Sequence, residues 1–321
     1  MPYMARMPPE RPKLDVLIAA PRGFCAGVDR AIKIVELSIE RFGPPVYVRH
    51  EIVHNRYVVD RLRGLGAVFV DELDQVPDGR PVIFSAHGVP KVVPRAAQAR
   101  GLDYLDATCP LVSKVHRQAQ RMIEDDRHIL FIGHAGHPEV IGTMGQVEAD
   151  KISLIETIDD VGAFDPAGRE RLAFLTQTTL SVDDTREIVD ALRVRFPDIR
   201  GPKAEDICYA TSNRQNAVKG IASQCQRMLV IGSDTSSNSL RLAEVAERMN
   251  VPARLIERAT DIDWEWLGEP KTVGVTAGAS APETLVREVL DALAQRFDTC
   301  EREGPDVQED MVFKLPRELV A

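Results

Sequence analysis

The chain has 321 residues, enough for two or three small domains or one large one. It is 44% hydrophobic and 28% charged, and its formal net charge of -9 excludes the broad basic footprint of a nucleic-acid binder. The longest apolar runs, such as Ile129–Ile132, are far too short to span a bilayer, and Met1–Lys13 carries Arg6, Arg11 and Lys13 without an apolar core, so no membrane association, no targeting segment and a cytoplasmic location are expected.

Taken in chain order, the pattern repeats three times. A strand over Asp15–Ala20 runs into Cys25, and Val28, Ile32, Val35 and Ile39 then mark one face of a helix. Val46–Val48 reads as a strand, followed by a loop ending in His54-Asn55, a helix to about Gly64 and a strand at Ala67–Val70. Val82–Phe84 enters Ser85-Ala86-His87-Gly88, a helix covers about 91–100, and Asp103–Asp106 leads to Cys109. The second unit places Val112, Val115, Ala119 and Met122 on a helix, then the strand Ile129–Ile132 and the loop Gly133–Glu139. Ile152–Ile155 and Leu172–Leu175 are its next strands, the latter entering Gln177-Thr178-Thr179; a helix over 183–196 and a last strand reach Cys208. In the third unit Val218, Ile221, Cys225 and Met228 are expected on one helix face, with strands at Leu229–Ile231, Ala253–Ile256 and Val273–Val275. Its loops are Ser233–Asn238 and Gly278-Ala279-Ser280, and a helix follows over 282–297.

The third unit lacks a last strand, and Asp15–Ala20 is expected to supply it and close the three units into a ring. The expected division is 26–109, 110–207 and 208–300, the last completed by 14–25, with 301–321 as a tail. From each cysteine to the first polar loop is 29 (25 to 54), 28 (109 to 137) and 28 (208 to 236) residues, which supports the repeat. Alternating strands and helices imply parallel sheets, whose ligands bind beyond the carboxyl ends of the strands. Cys25, Cys109, Cys208 and all six polar loops stand at such ends. The fold class expected is α/β, three repeated units with parallel sheets in a pseudo-threefold trefoil around a central iron–sulfur cluster.

The five cysteines are odd in number and form no CxxC pair, which excludes a disulfide framework and local zinc or ferredoxin spacings. Three thiolates at equivalent positions of a pseudo-threefold fold converge on its axis. They suit an iron–sulfur cluster with one iron free of protein ligands, or zinc with an open position, although the hydrolytic groups that accompany open zinc are not obvious. Cys225, on an apolar face, fits a small buried hydrophobe instead. The loops add His54, His87, His137, Glu139, Thr178, Ser236, Ser237, Asn238 and Ser280, nearly all hydrogen-bond donors. Ser236–Asn238 precede an amphipathic stretch and Pro138 reads as a first-turn proline, so both loops open helices whose N-termini favour an anion such as phosphate. Ordinary N-capping is the plainer role for the Ser-Ser-Asn run. Glu139 is the only carboxylate in the loop cores and the natural general acid. His50, His116 and His128 are expected to be structural, and His134 shares the loop of His137.

Pro21-Arg22-Gly23-Phe24-Cys25-Ala26-Gly27-Val28 resembles the opening motif of the LytB/IspH family of 4-hydroxy-3-methylbut-2-enyl diphosphate reductases. So do His54-Asn55, Ser85–Gly88, Asp106-Ala107-Thr108-Cys109-Pro110, Gly136–Glu139, Gln177-Thr178-Thr179, Cys208 and Ser236–Ser239, in order from about residue 15 to 295. The tail Glu309–Phe313 also resembles family C-termini. The resemblance implies reductive dehydroxylation of an allylic diphosphate to isopentenyl and dimethylallyl diphosphates, the last step of the non-mevalonate isoprenoid pathway. It implies a [4Fe–4S] cluster on Cys25, Cys109 and Cys208 whose fourth iron binds the substrate hydroxyl. By position, His54, His87, His137, Ser236, Ser237, Asn238 and Ser280 would hold the diphosphate, Glu139 would deliver protons, and Thr178 would order the alcohol; the catalytic set is Glu139, Thr178 and His137. A ferredoxin or flavodoxin-type electron donor is implied as the partner. Thr235 stands where the family pattern expects Asn, and Asp234 adds a negative charge that is expected to point outward. The alternative is a quinolinate-synthase-like three-cysteine iron–sulfur lyase, which would favour Arg or Lys in the loops.

Overall fold

The computed structural model describes residues 11–305 and 307–320, so most of Met1–Lys13, with the expectation about targeting, lies outside the described residues. After β1 (Lys13–Ile18) the first unit runs α1 (Ala26–Phe42), β2 (Val46–Arg49), α2 (Arg56–Leu65), β3 (Ala67–Val70), β4 (Val82–Phe84), α3 (Val92–Ala99) and β5 (Tyr104–Asp106). The second runs α4 (Pro110–Glu124), β6 (His128–Ile132), α5 (Pro138–Met144), β7 (Ile152–Ile155), α6 (Ile158–Ala163), β8 (Leu172–Thr176) and α7 (Val182–Arg195). The third runs α8 (Tyr209–Ala222), β9 (Arg227–Ile231), α9 (Ser237–Arg248), β10 (Ala253–Ile256), α10 (Trp264–Leu267), β11 (Thr272–Ala277), α11 (Glu283–Arg296) and β12 (Asp298–Glu303), with α12 (Arg317–Val320) at the end.

Three parallel sheets result, in the orders β3-β2-β4-β5, β7-β6-β8 and β10-β9-β11-β1-β12. The α/β class with parallel sheets is therefore as the sequence predicts. β1 stands beside β11, the place that β5 takes beside β4. Central strands such as β6 (His-Ile-Leu-Phe-Ile) are buried at every residue because helices cover both faces of a parallel sheet. Two core clusters flank each sheet in consequence, for example Ile129, Phe131 and Leu175 on one side and Leu130, Ile132 and Phe174 on the other.

Three local expectations are corrected. The segment before Cys208 is no strand: it meets β8 only at an Ala173–Arg200 bridge. Pro202 has no N–H to continue a ladder, and Gly201 sits where a Cβ would be 2.6 Å from the Phe174 ring. The helix expected to carry Val218, Ile221, Cys225 and Met228 stops at Ala222; Cys225 lies in the following turn and Met228 in β9. Helical spacing runs on through these positions because turn and strand bury their residues in the same core as the helix. Finally, β12 extends the third sheet to Glu303, pairing with β1 inside the segment assigned to a tail. Its sequence, Asp-Thr-Cys-Glu-Arg-Glu, has little apolar signal because it is an exposed edge, where charge discourages pairing with other chains.

Among the described residues no helix is long and apolar enough to cross a membrane.

β1 is central to the third sheet although it comes first in the chain, so its burial tests the closure of the ring. Ile18, 1% exposed, is the β1 residue nearest Cys25. Ile18→Ala is expected to cost about 2–5 kcal/mol, the usual penalty for a core cavity of that size. Thermal melting followed by circular dichroism checks it, and an unchanged melting temperature would mean that β1 is dispensable.

Candidate active site

Each cysteine of the expected set is the N-cap residue of a helix: Cys25 of α1, Cys109 of α4 and Cys208 of α8. The backbone of each is tied to the second polar loop of the unit it closes. Cys109 N–H donates to Ala86 O at 2.9 Å, Cys208 N–H to Thr178 O at 3.1 Å, and Cys25 N–H to Ala279 O at 3.2 Å. Cys25 thus meets the loop that follows β11 as Cys109 meets the loop that follows β4. The first polar loops behave alike, with Asn55 capping α2, His137 capping α5 and Ser236 capping α9. Six helix N-termini therefore border one cavity.

That cavity is lined by all three cysteines and by His54, His87, His137, Glu139, Thr178, Ser236, Ser237, Asn238 and Ser280. Every site residue expected from the sequence is brought into it, and none of its lining residues is Arg or Lys. Gly27 keeps the space between the thiols open. A Cβ there would lie 2.7 Å from Cys109 Sγ and 3.8 Å from Cys25 Sγ. Among the described residues no three His, Cys, Asp or Glu side chains stand close enough to grip one metal ion. The thiols ring a shared space instead, and a donor set of three sulfurs around a space that a methyl group would invade fits an iron–sulfur cluster. Burial, reinforced by the charge of Cys25, pushes the Cys109 thiol up to about 12 and the Cys208 thiol up to about 11. No lysine or arginine lines the site to offset thiolate charge, so a cationic metal centre is the natural counterpart.

On the opposite side three imidazoles converge. The His54 and His87 rings stack at 4.0 Å between centroids, and His137 meets them edge-on at 5.5 and 5.9 Å. His54 Nε2 and His87 Nδ1 are buried and have no hydrogen-bond partner. Desolvation first, then the neighbouring rings, hold His87 well below its usual value and bring His137 down to about 3. In the absence of an anion the His87 and His137 rings are therefore neutral. The hydroxyl and amide groups of the third unit are already pinned. Ser280 Oγ donates to His54 O at 2.9 Å, Ser237 Oγ to Thr179 O at 3.2 Å, and Asn238 Oδ1 accepts from Ala279 N–H at 2.8 Å. Asp234 and Thr235 are exposed, the outward orientation expected of Asp234.

Glu139 is 2% exposed, and its carboxylate accepts from Thr178 N–H at 2.6 Å (Oε1) and Thr178 Oγ1 at 2.9 Å (Oε2). Burial outweighs those hydrogen bonds and raises it to about 7. The charge of Asp206 contributes to that rise; this carboxylate is itself lifted to about 6 by burial, against the pull of Lys114 at 3.3 Å.

Other residues at the site carry no motif of their own. Tyr209 OH accepts from Ala26 N–H at 3.3 Å, and Thr211 Oγ1 lies 3.1 Å from Cys208 Sγ. Their position immediately after Cys208 is the one signal that could have marked them. His116 packs behind Gly88, and His128 bonds Ser153 Oγ at 2.8 Å, both in structural roles. His134 is not among the lining residues of this cavity and stands 4.0 Å from Glu156. A larger open cleft of about 640 Å³ beside α2 is lined by Arg56, Arg61 and Arg258, each already facing a carboxylate (Asp60, Glu36 and Glu288).

Known proteins match the whole arrangement. The family model "LytB protein" matches residues 16–294. A 4-hydroxy-3-methylbut-2-enyl diphosphate reductase of Phenylobacterium zucineum is 63% identical over 97% of this chain and 99% of its own length. Its counterpart in Hyphomonas neptunium is 59% identical over 96% of this chain and 98% of its own. Among solved structures, the E-1-hydroxy-2-methyl-but-2-enyl-4-diphosphate reductase of Plasmodium falciparum superposes with a TM-score of 0.91 at 38% identity, over 97% of this chain and 98% of that one. With its three sheets, its ring of thiols and these relatives, the chain belongs to the LytB family.

Proposed function

We propose that the chain is a 4-hydroxy-3-methylbut-2-enyl diphosphate reductase, an iron–sulfur oxidoreductase of isoprenoid biosynthesis. The observation that carries this reading is one cavity shared by three thiols, three clustered imidazoles, two of them with an unpaired buried ring nitrogen, and a buried, protonatable carboxyl. The reaction breaks the allylic C–O bond, releases the hydroxyl as water and forms a C–H bond, consuming two electrons and two protons. Isopentenyl and dimethylallyl diphosphates are the products.

Cys25, Cys109 and Cys208 would hold a [4Fe–4S] cluster, which when bound supplies the electrons and a Lewis-acidic iron. The diphosphate would sit among His54, His87, His137, Ser236, Ser237, Asn238 and Ser280, at the N-termini of α2, α5 and α9. That contact binds a part of the substrate remote from the reacting carbon and fixes the alcohol at the thiol side. Thr178 N–H can only donate, so it holds Oε1 of Glu139 as an acceptor, and the proton belongs on Oε2. Thr178 Oγ1 faces Oε2 and can both accept that proton and donate its own toward the leaving hydroxyl. A ferredoxin or flavodoxin-type protein would deliver the electrons, in the cytoplasm. We read the ring as units 26–109, 110–207 and 208–300 with 14–25. A quinolinate-synthase-like reaction on a dicarboxylate is disfavoured, because the cavity lacks the Arg and Lys that would bind one.

Four outcomes are expected. Glu139→Gln removes the exchangeable proton but keeps the shape, so turnover should fall by about 100-fold or more while iron content and substrate binding persist. In the unaltered enzyme kcat should decline as pH rises through about 7, since Glu139 then loses the proton it must donate. Undiminished turnover of the Gln variant would end the proton-donor role.

Gly27→Ala places a methyl group against Cys109 Sγ without harming α1, since alanine is the better helix former. Anaerobically purified protein should keep its circular dichroism and lose its iron and brown colour. A fully loaded Ala variant would show that the cluster lies elsewhere.

Substrate binding brings an anion to His87 and His137, raising pKa values that burial now depresses. Protons are therefore taken up on binding, and affinity weakens as pH rises. Calorimetry in buffers of different ionisation enthalpy should register about one proton or more near neutral pH. Zero uptake would mean that the imidazoles bind the diphosphate in their neutral form.

A further inference from the structure

Two arginines tie the C-terminal segment to the backbone just ahead of two of the three thiols. Arg214 on α8 is wholly buried. It donates to Gly23 O from Nε at 3.0 Å and from Nη2 at 2.7 Å, to Phe24 O at 3.3 Å, and from Nη1 to Ala210 O at 3.0 Å. Phe24 immediately precedes Cys25, and Ala210 follows Cys208 by two residues. The carboxylate that meets this guanidinium is Glu309, at 3.1 to 3.3 Å, which also accepts from Asn213 Nδ2 at 3.0 Å. Arg30 on α1 repeats the pattern at the next thiol. Its Nε donates to Lys314 O at 2.8 Å, while Nη1 donates to Ala107 O at 3.3 Å and Thr108 O at 3.2 Å, directly before Cys109. Leu315 and Leu319 then pack on the first-unit core, the cluster against which Phe24 also packs.

Between these anchors the segment has little to hold it. Residues 307–316 form no helix or strand, and Val312 is 86% exposed. A chain stretch with so few buried contacts keeps its place only through its anchors. The anchors it has are aimed at the backbone that carries the thiols. A buried cation that bonds the carbonyls beside Cys25 also adds positive charge there, and a carboxylate brought by the tail offsets it.

We infer that residues 309–319 are a clamp, in which Glu309 neutralises Arg214 and Arg30 holds Lys314, that positions the Cys25 and Cys109 loops and sets the charge felt by the redox group they hold. The inference rests on the reading of the three cysteines as ligands of an iron–sulfur cluster. Glu309 and Arg214 are positioning residues; neither lines the cavity.

Reduction potential gives the test, because net charge near a cluster shifts it with a definite sign. Anaerobic redox titration, followed by electron paramagnetic resonance, would compare the unaltered protein with Glu309→Gln and Arg214→Gln. Removing the carboxylate leaves the cation uncompensated, so Glu309→Gln should raise the potential; Arg214→Gln should lower it. A chain ending at Gln308, which keeps every described strand, loses both anchors and should lose its visible iron–sulfur absorbance in air about fivefold faster or more. If Arg214→Gln does not fold, Glu309→Gln and the shortened chain decide alone. Iron-loaded Glu309→Gln with an unchanged potential, together with unchanged bleaching of the shortened chain, would overturn the clamp and leave the cluster reading intact. Unaltered protein that holds no iron when purified without air would overturn the cluster reading, and the clamp with it.

Discussion

Every feature of the site follows from one constraint: six helices begin at the same cavity. Parallel strands joined by helices leave their carboxyl ends, and the N-termini of the next helices, on one side of each sheet. Closing three such sheets into a ring turns those sides toward a common centre. Many of the residues at that centre are N-caps or first-turn residues, among them Cys25, His137 and Ser236, while His87, Thr178 and Ser280 come from the loops beside them. Unpaired N–H groups and the positive ends of six helices favour negative charge there by a few tenths to one kcal/mol each. The fold presents a field suited to a polyanion and to thiolates even before any side chain is chosen.

Against that field the side chains are held back from charge. Burial works against the charged forms of Cys109, Cys208, His87, His137 and Glu139, leaving those two thiols high, those two histidines low and the carboxyl near neutrality. A site of this kind is poised: each group gains its catalytic form only when a guest of the right charge arrives. An anion raises the histidines, and a metal centre lowers the thiols. Glu139 differs, since its proton is retained by desolvation and oriented by Thr178, so it is ready before the substrate binds.

Much of this was legible in the sequence because repetition and periodicity leave traces. Strands such as Ile129–Ile132 are short apolar runs, helices such as α4 bury Val112, Val115, Ala119 and Met122 on one face, and the cysteines recur at matching offsets. Asp234 is exposed, as expected. What escaped had no periodic signal. The run from Ile221 to Met228 changes from helix to turn to strand while every apolar residue keeps facing one core, so spacing alone reads it as continuous. The charged β12 shows its pairing only once β1 is beside it. The contact of Glu139 with Thr178 spans 39 residues, and no local pattern encodes it.

Arg214 marks the limit of such reading and explains why it matters. In the sequence it is an ordinary basic residue of a helix, yet among the described residues it is the largest fully buried side chain. Breaking a buried ion pair costs about 3–5 kcal/mol, while replacing both partners by apolar groups is often harmless. Stability alone therefore gives little reason to keep a guanidinium there. Its five N–H donors offer what an apolar residue could not, simultaneous bonds to Gly23, Phe24 and Ala210 that join the loop before one thiol to the helix after another. The carboxylate that makes this cation tolerable comes from the end of the chain. The last residues of the chain thus complete the surroundings of the first cysteine, much as β1 completes the third sheet.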